Sequence, residues 1–214
     1  MMNTSPWLRL FVLLLAFSVA FPLFAYEYPL SSEAIREAYF LGKNTDGRGA
    51  ETLAQYTHAL PMPLAGPDIP SIQIETPFTA VAMRAAQTPG YHAQEAEQEF
   101  TGKPGVFRVR VEIRFTPTYP NPTEPSQSGI DVFWVPDFWK DFKIKLMQGR
   151  EIAAQSVRAG PVYSYYAADV TGIIGAEIEM DYSPEEIGAA PVEVKVIAPN
   201  GQAVQTSFDL STLN

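Results

Sequence analysis

The chain has 214 residues, 46% hydrophobic and 18% charged, enough apolar material for a substantial core and too much for a disordered protein. It carries 15 basic against 24 acidic side chains, a net charge of −9 with no Lys/Arg cluster, which excludes phosphate backbones and anionic membrane surfaces as natural partners. It has no cysteine, which excludes disulfides, thiolate metal sites, a nucleophilic cysteine and an acylated N-terminal cysteine.

Residues 1–25 read as a signal peptide. One cation, Arg9, precedes the apolar run "LFVLLLAFSVAF", and small residues close the segment at Ala20 and Ala25. The run is short of the roughly 20 residues a membrane-spanning helix needs. Cleavage is expected after Ala25, with Ala20 as the fallback. It would remove Arg9 and no acid, taking the net charge from −9 to −10. The expected product is a periplasmic or secreted protein with no membrane insertion after cleavage. Export without cysteine fits a bacterial envelope better than a small eukaryotic extracellular domain.

Residues 26–60 are expected to form a helical extension. Ser31 or Ser32 caps a helix that Gly42 would stop, with Ile35, Ala38 and Tyr39 on one face. A weaker helix is expected over 50–58, "AETLAQYTH". Residues 61–70 form a connector, because Pro61, Pro63, Pro67 and Pro70 leave no room for helix.

From residue 71 the hydrophobic period becomes two. "SIQIE" and "FTAVAMRAA" are expected as strands, and "HAQEAEQEF" as a short helix. In "VFRVRVEIRF", Phe107, Val109, Val111, Ile113 and Phe115 share one face; Arg108, Arg110, Glu112 and Arg114 share the other. A loop with four prolines follows at 117–129. Then come "IDVFWV", "FKIKLMQ", "EIAAQSVR", "PVYSYY", "GAEIEMDY", "VEVKVIA" and "AVQTSFDL", with tight turns at "QGRE" and "PNGQ". This pattern makes the chain mainly β, with residues 71–214 forming an antiparallel β-sandwich behind a short N-terminal helical extension.

The run from Phe142 to Leu210 resembles immunoglobulin-like or fibronectin-III-like modules in its strand spacing, without the Cys…Trp…Cys signature. The phrases "YPLSSEAIREAYFLG", "DFWKDFKIKL" and "FDLSTL" also resemble uncharacterised secreted bacterial proteins. Those resemblances imply an immunoglobulin-like fold and favour binding; they carry no catalytic motif to transfer.

No G-x-S-x-G elbow, H-E-x-x-H, phosphate-binding loop or dinucleotide fingerprint is present. His58 and His92 are expected as surface or loop residues, so no metal site and no cofactor are expected. "GKNTDGRGAE" places Gly42 and Leu53 where a calcium loop needs carboxylates, so it reads as a turn between helices. Glu177, Glu179 and Asp181 alternate along one strand and are expected on a solvated face.

The aromatic stretch "DVFWVPDFWKDF" offers the best binding residue. Trp134 shares a face with Ile130 and Val132 and is expected in the core. Reading the alternation of "FKIKL" backwards puts Phe142, Ile144 and Leu146 inward and Trp139 with Asp141, Lys143 and Lys145 on the polar face. A helical turn begun at Pro136–Asp137 would change that phase. Trp139, with Tyr163 and Tyr165 of "YSYY", forms the expected ligand-binding set. The sequence thus describes an exported, non-enzymatic binding or scaffolding protein with a protein or glycan partner in the bacterial envelope. The alternative is a secreted, carboxylate-dependent hydrolase acting on polysaccharide.

Overall fold

The computed structural model describes residues 26–121, 137–167 and 170–213, and the side chains of 165–171 are not among the groups described. Segment 1–25, the "IDVFWV" strand with Trp134, and the side chain of Tyr165 therefore lie outside the described residues. Among the described residues the protein is mainly β, with nine strands in two antiparallel sheets and four α-helices.

Helix α1, Ser32–Lys43, starts where the Ser31 side chain accepts a hydrogen bond from the Ala34 N–H. Its buried face is Ala34, Ile35, Ala38 and Tyr39, as the spacing predicts. Gly42 does not stop the helix. A Cβ there would lie 2.0 Å from the Ala82 carbonyl oxygen, so glycine is what lets α1 approach its neighbour. Helix α2, Arg48–Ala54, ends before the expected residue 58, and strand β1, Thr57–Ala59, takes its last residues into a sheet.

Strand β2, Ser71–Glu75, is followed by helix α3, Pro77–Gln87, where "FTAVAMRAA" was expected to be a strand. Three local features decide for helix. Thr76 and Thr79 form a reciprocal cap, Pro77 occupies the first turn, and Phe78, Val81, Ala82 and Ala85 recur at helical spacing on the buried side. Helix α4, Ala93–Phe100, matches the expected one. Together α1, α3 and α4 enclose a satellite core of Ile35, Ala38, Tyr39, Phe78, Val81, Ala82, Tyr91 and Ala96.

Strand β3, Phe107–Arg114, buries Phe107, Val109, Val111 and Ile113 completely. Beyond a 3₁₀ turn at Phe138–Asp141 come β4, Lys143–Gln148, β5, Arg150–Ile152, β6, Ser156–Ala167, and β7, Val170–Tyr182. Strands β8, Val192–Ile197, and β9, Ala203–Phe208, complete the set. Gly149 (φ 68°) and Gly201 (φ 84°) supply the left-handed residues of the two expected turns. The expected strands "EIAAQSVR" and "PVYSYY" divide differently: the first breaks after Ile152, and its end runs through Gly160–Pro161 into one long β6. Proline is tolerated there because β6 is an edge strand.

One sheet has the order β1-β2-β3-β7-β6 and the other β5-β4-β8-β9. Both contribute to a single apolar core, with Ile72, Ile74, Val109, Val111 and Ile178 from the first and Leu146, Val192, Val194, Val196 and Phe208 from the second. No helix among the described residues is long and apolar enough to cross a membrane.

Candidate functional site

Chemistry at the surface begins with the 3₁₀ turn, because it alters the phase that alternation predicts. Phe138 turns inward and is buried, packing 4.8 Å from Phe115 between ring centroids. Trp139 meets Phe138 edge-on at 5.3 Å. It is partly buried against the main core rather than standing free on a polar face. The reason is geometric: a turn with three residues per repeat breaks a period of two. Phe142 is buried as expected, and Ile144 is partly buried against the core.

Trp139 lines a groove of about 730 Å³ to which residues of both sheets contribute. On one side lie Phe142, Lys143, Ile144 and Lys145 of the second sheet; on the other lie Val157, Ala159, Ile178 and Met180 of the first. The β6 pairings fix which way those residues point: Val157 lies opposite Met180 and Ala159 opposite Ile178. All four belong to the face that carries the core, yet Val157 is 61% exposed. The cause is coverage. Strand β5 has three residues and pairs only with Leu146–Gln148 of β4, so the second sheet does not extend over β6. The rim is charged, with ion pairs Asp137–Lys140 and Lys145–Glu151 (2.7 Å). Lys143 has no partner among the described residues. A concave, largely apolar lining with a few polar groups is the usual character of a ligand site, and the volume is in the range of such sites.

Of the other expected ligand-binding residues only Tyr163 has a described side chain, and it does not join this groove. Tyr163 is exposed but follows a register shift in β6 and does not line it. His58, expected at the surface or in a loop, is half-buried in a strand. It sits on β1 with its ring 4.3 Å from that of Phe208, and its Nδ1 meets the Thr206 hydroxyl, tying the two sheets together at the far edge. His92 precedes α4, where its backbone N–H donates to Glu95 at 3.0 Å. No group of three His, Asp or Glu side chains that could hold a metal ion occurs among the described residues.

The three carboxylates of β7 are not simply solvated. Asp181 is buried and accepts from Arg108 Nε at 2.7 Å and from the Ser156 hydroxyl at 3.0 Å. Glu179 accepts from Arg110 at 2.7 Å and from Arg158 at 3.1 Å, and Glu177 lies 3.4 Å from Arg110. Burial by itself raises both carboxyls, but these hydrogen bonds and the neighbouring guanidinium charges outweigh it and hold Glu179 and Asp181 below their ordinary ranges. Neither is set up as a general acid, which a glycosidase pair requires at neutral pH. The cross-strand register brings these groups together: Arg108 lies opposite Asp181, Arg110 opposite Glu179, and Arg158 opposite Glu179 from the other side.

Sequence reasoning named Trp139, which lines the groove, and did not name Val157, Met180 or Lys143, which line it too. Val157 follows "AAQS" on an edge strand, where no alternation marks its face; its exposure depends on what the other sheet leaves uncovered. Comparison with known proteins adds no relative: no family model, no curated protein and no solved structure matches this chain.

Proposed function

We propose that the protein is an exported, non-enzymatic binding protein of the bacterial envelope whose ligand occupies the groove beside Trp139. The observation that carries this reading is the exposed Val157, which lines a cavity of ligand size together with the partly buried Ala159, Met180 and Trp139. The acidic, cysteine-free composition and the leader-like segment 1–25 support export. The two sheets with their common core support an immunoglobulin-like sandwich, a scaffold widely used for binding. The test is a binding screen with cell-wall glycan fragments and peptides from envelope proteins, read in parallel on the wild type and on Trp139→Ala. A ligand that binds the wild type and is lost from a folded Trp139→Ala variant is the expected result. Binding untouched by that variant would move the site elsewhere.

A further inference from the structure

Resting on that reading, we propose that the groove takes an extended polypeptide segment of a partner protein. The segment adds as a strand to β4 along Lys143–Lys145 and alternates acidic with apolar residues. Three observations converge on a strand. First, β4 pairs with β8 over Lys143–Met147 but with β5 only over Leu146–Gln148. The chain leaves the second sheet at Ala153 and re-enters the first at Ser156, so no described strand lies beside Lys143–Lys145 on the β5 side. Backbone donors and acceptors along such an edge are a template for another strand. Second, a strand placed in line with β5 would cover Val157, the exposed apolar residue on the first sheet's inner face. Third, the cavity lies between this edge and those residues.

The register then dictates the partner's composition. Ile144 is partly buried on the core side, so the residue beside it points into the groove and is apolar. Lys143 and Lys145 alternate with Ile144 and contribute to the groove's charged rim, and Lys145 also faces Lys195 directly across from β8. Like charges opposite one another are unfavourable; Lys145 meets Glu151 at 2.7 Å, but neither Lys143 nor Lys195 has an anionic partner among the described residues. Acidic residues at the flanking positions of an added strand relieve that repulsion. Lysines on an edge also discourage indiscriminate pairing, so the same charges confer selectivity. Pro161 and the register shift after Val162 blunt the middle of the β6 edge, which leaves β4 as the pairing strand.

The experiment uses the exported chain and three fluorescein-labelled heptapeptides in which Glu alternates with Val, Lys with Val, or Glu with Gly. Fluorescence polarisation at low salt should rank the Glu–Val peptide about tenfold or more above both others, because it alone satisfies charge and face. Val157→Glu, at an exposed position, should abolish that binding with the melting curve retained. Lys143→Glu with Lys145→Glu should reverse the preference towards the Lys–Val peptide, a gain that misfolding cannot produce. Amide exchange at those N–H groups of Lys143–Lys145 that point away from β8 should be fast in the free protein and slow with the Glu–Val peptide. Equal binding of all three peptides, or of none, overturns the inference. So does slow exchange in the free protein, whether at every concentration (the edge covered by its own chain) or only at high concentration (a second copy). Glycan fragments that bind through Trp139 while the peptides do not would overturn the strand and leave the binding-protein reading standing.

Discussion

Trp139 tests the site at the scale of a single side chain. Full burial of a tryptophan makes its truncation cost about 3–5 kcal/mol, and full exposure keeps it within about 0.5 kcal/mol. Trp139 is partly buried on the core's margin, so Trp139→Ala should cost roughly 1–2 kcal/mol, between those limits. Phe138, its buried neighbour, should cost about 3–5 kcal/mol as Phe138→Ala. Urea melts of the two variants give the comparison, and equal losses would mean that the turn does not divide them as described. The carboxylates of β7 supply a pH signature. Glu179 and Asp181 titrate below their ordinary values of 4.5 and 3.8 in the folded protein. The unfolded chain therefore binds more protons in that range. Their stabilisation is fully present above the ordinary values and is lost as pH falls through the lowered ones. Stability should decline below about pH 5, and Asp181→Asn should flatten that decline. Urea melts from neutral to acidic pH measure it; a variant with the wild-type acid slope would contradict the assignment.

At the scale of elements, helix α3 shows a cap and a proline overriding a β-like reading. Thr76 is buried, and its hydroxyl accepts from the Thr79 N–H at 3.2 Å while the Thr79 hydroxyl accepts from the Thr76 N–H at 2.8 Å. Loss of such a cap typically costs about 1 kcal/mol. Thr76→Ala should fall at or above that value, because it also removes one partner of a buried pair; Thr76→Ser should restore most of it. Thermal melts of both read the effect. The sheet offers a second case, since Arg108 joins β3 to β2 and β7 through Glu75 (3.5 Å) and Asp181 (2.7 Å). Arg108→Ala leaves a buried aspartate with fewer donors and should cost about 1.5–3 kcal/mol, the range for hydrogen bonds to charged groups.

For the whole molecule, two cores imply two tiers of stability. The satellite core of α1, α3 and α4 is small and rich in alanine, whereas the main core draws on both sheets. Amide exchange should be faster in the three helices than in β3, β7 and β8, because fewer apolar contacts hold them. Uniform protection across both would argue for a single cooperative unit. Far-UV circular dichroism should be β-dominated with a minor helical component, and chelation should leave it unchanged. Export is tested by mass spectrometry: a mature chain starting at Tyr26 is expected, and recovery of only full-length protein from membranes would exclude cleavage.

What the residues alone determine here is local. The alternation in β3, β7 and β8, the Ser31 cap and face of α1, and the glycine turns at Gly149 and Gly201 follow from backbone sterics and from short-range periodicity, which depend on few neighbours. "FTAVAMRAA" misled because Phe78, Ala80, Ala82 and Arg84 alternate acceptably while the Thr76–Thr79 cap and the spacing to Ala85 favour helix more. Trp139 was legible as an aromatic of mixed surroundings, but not its place, since the 3₁₀ turn before β4 shifted the phase by which its face was judged. The groove itself belongs to tertiary structure. Val157, Lys143 and Met180 line it where β5 stops after three residues and leaves Val157 exposed. Exposure is a property of what the rest of the chain fails to bury, and no short window of sequence carries that information.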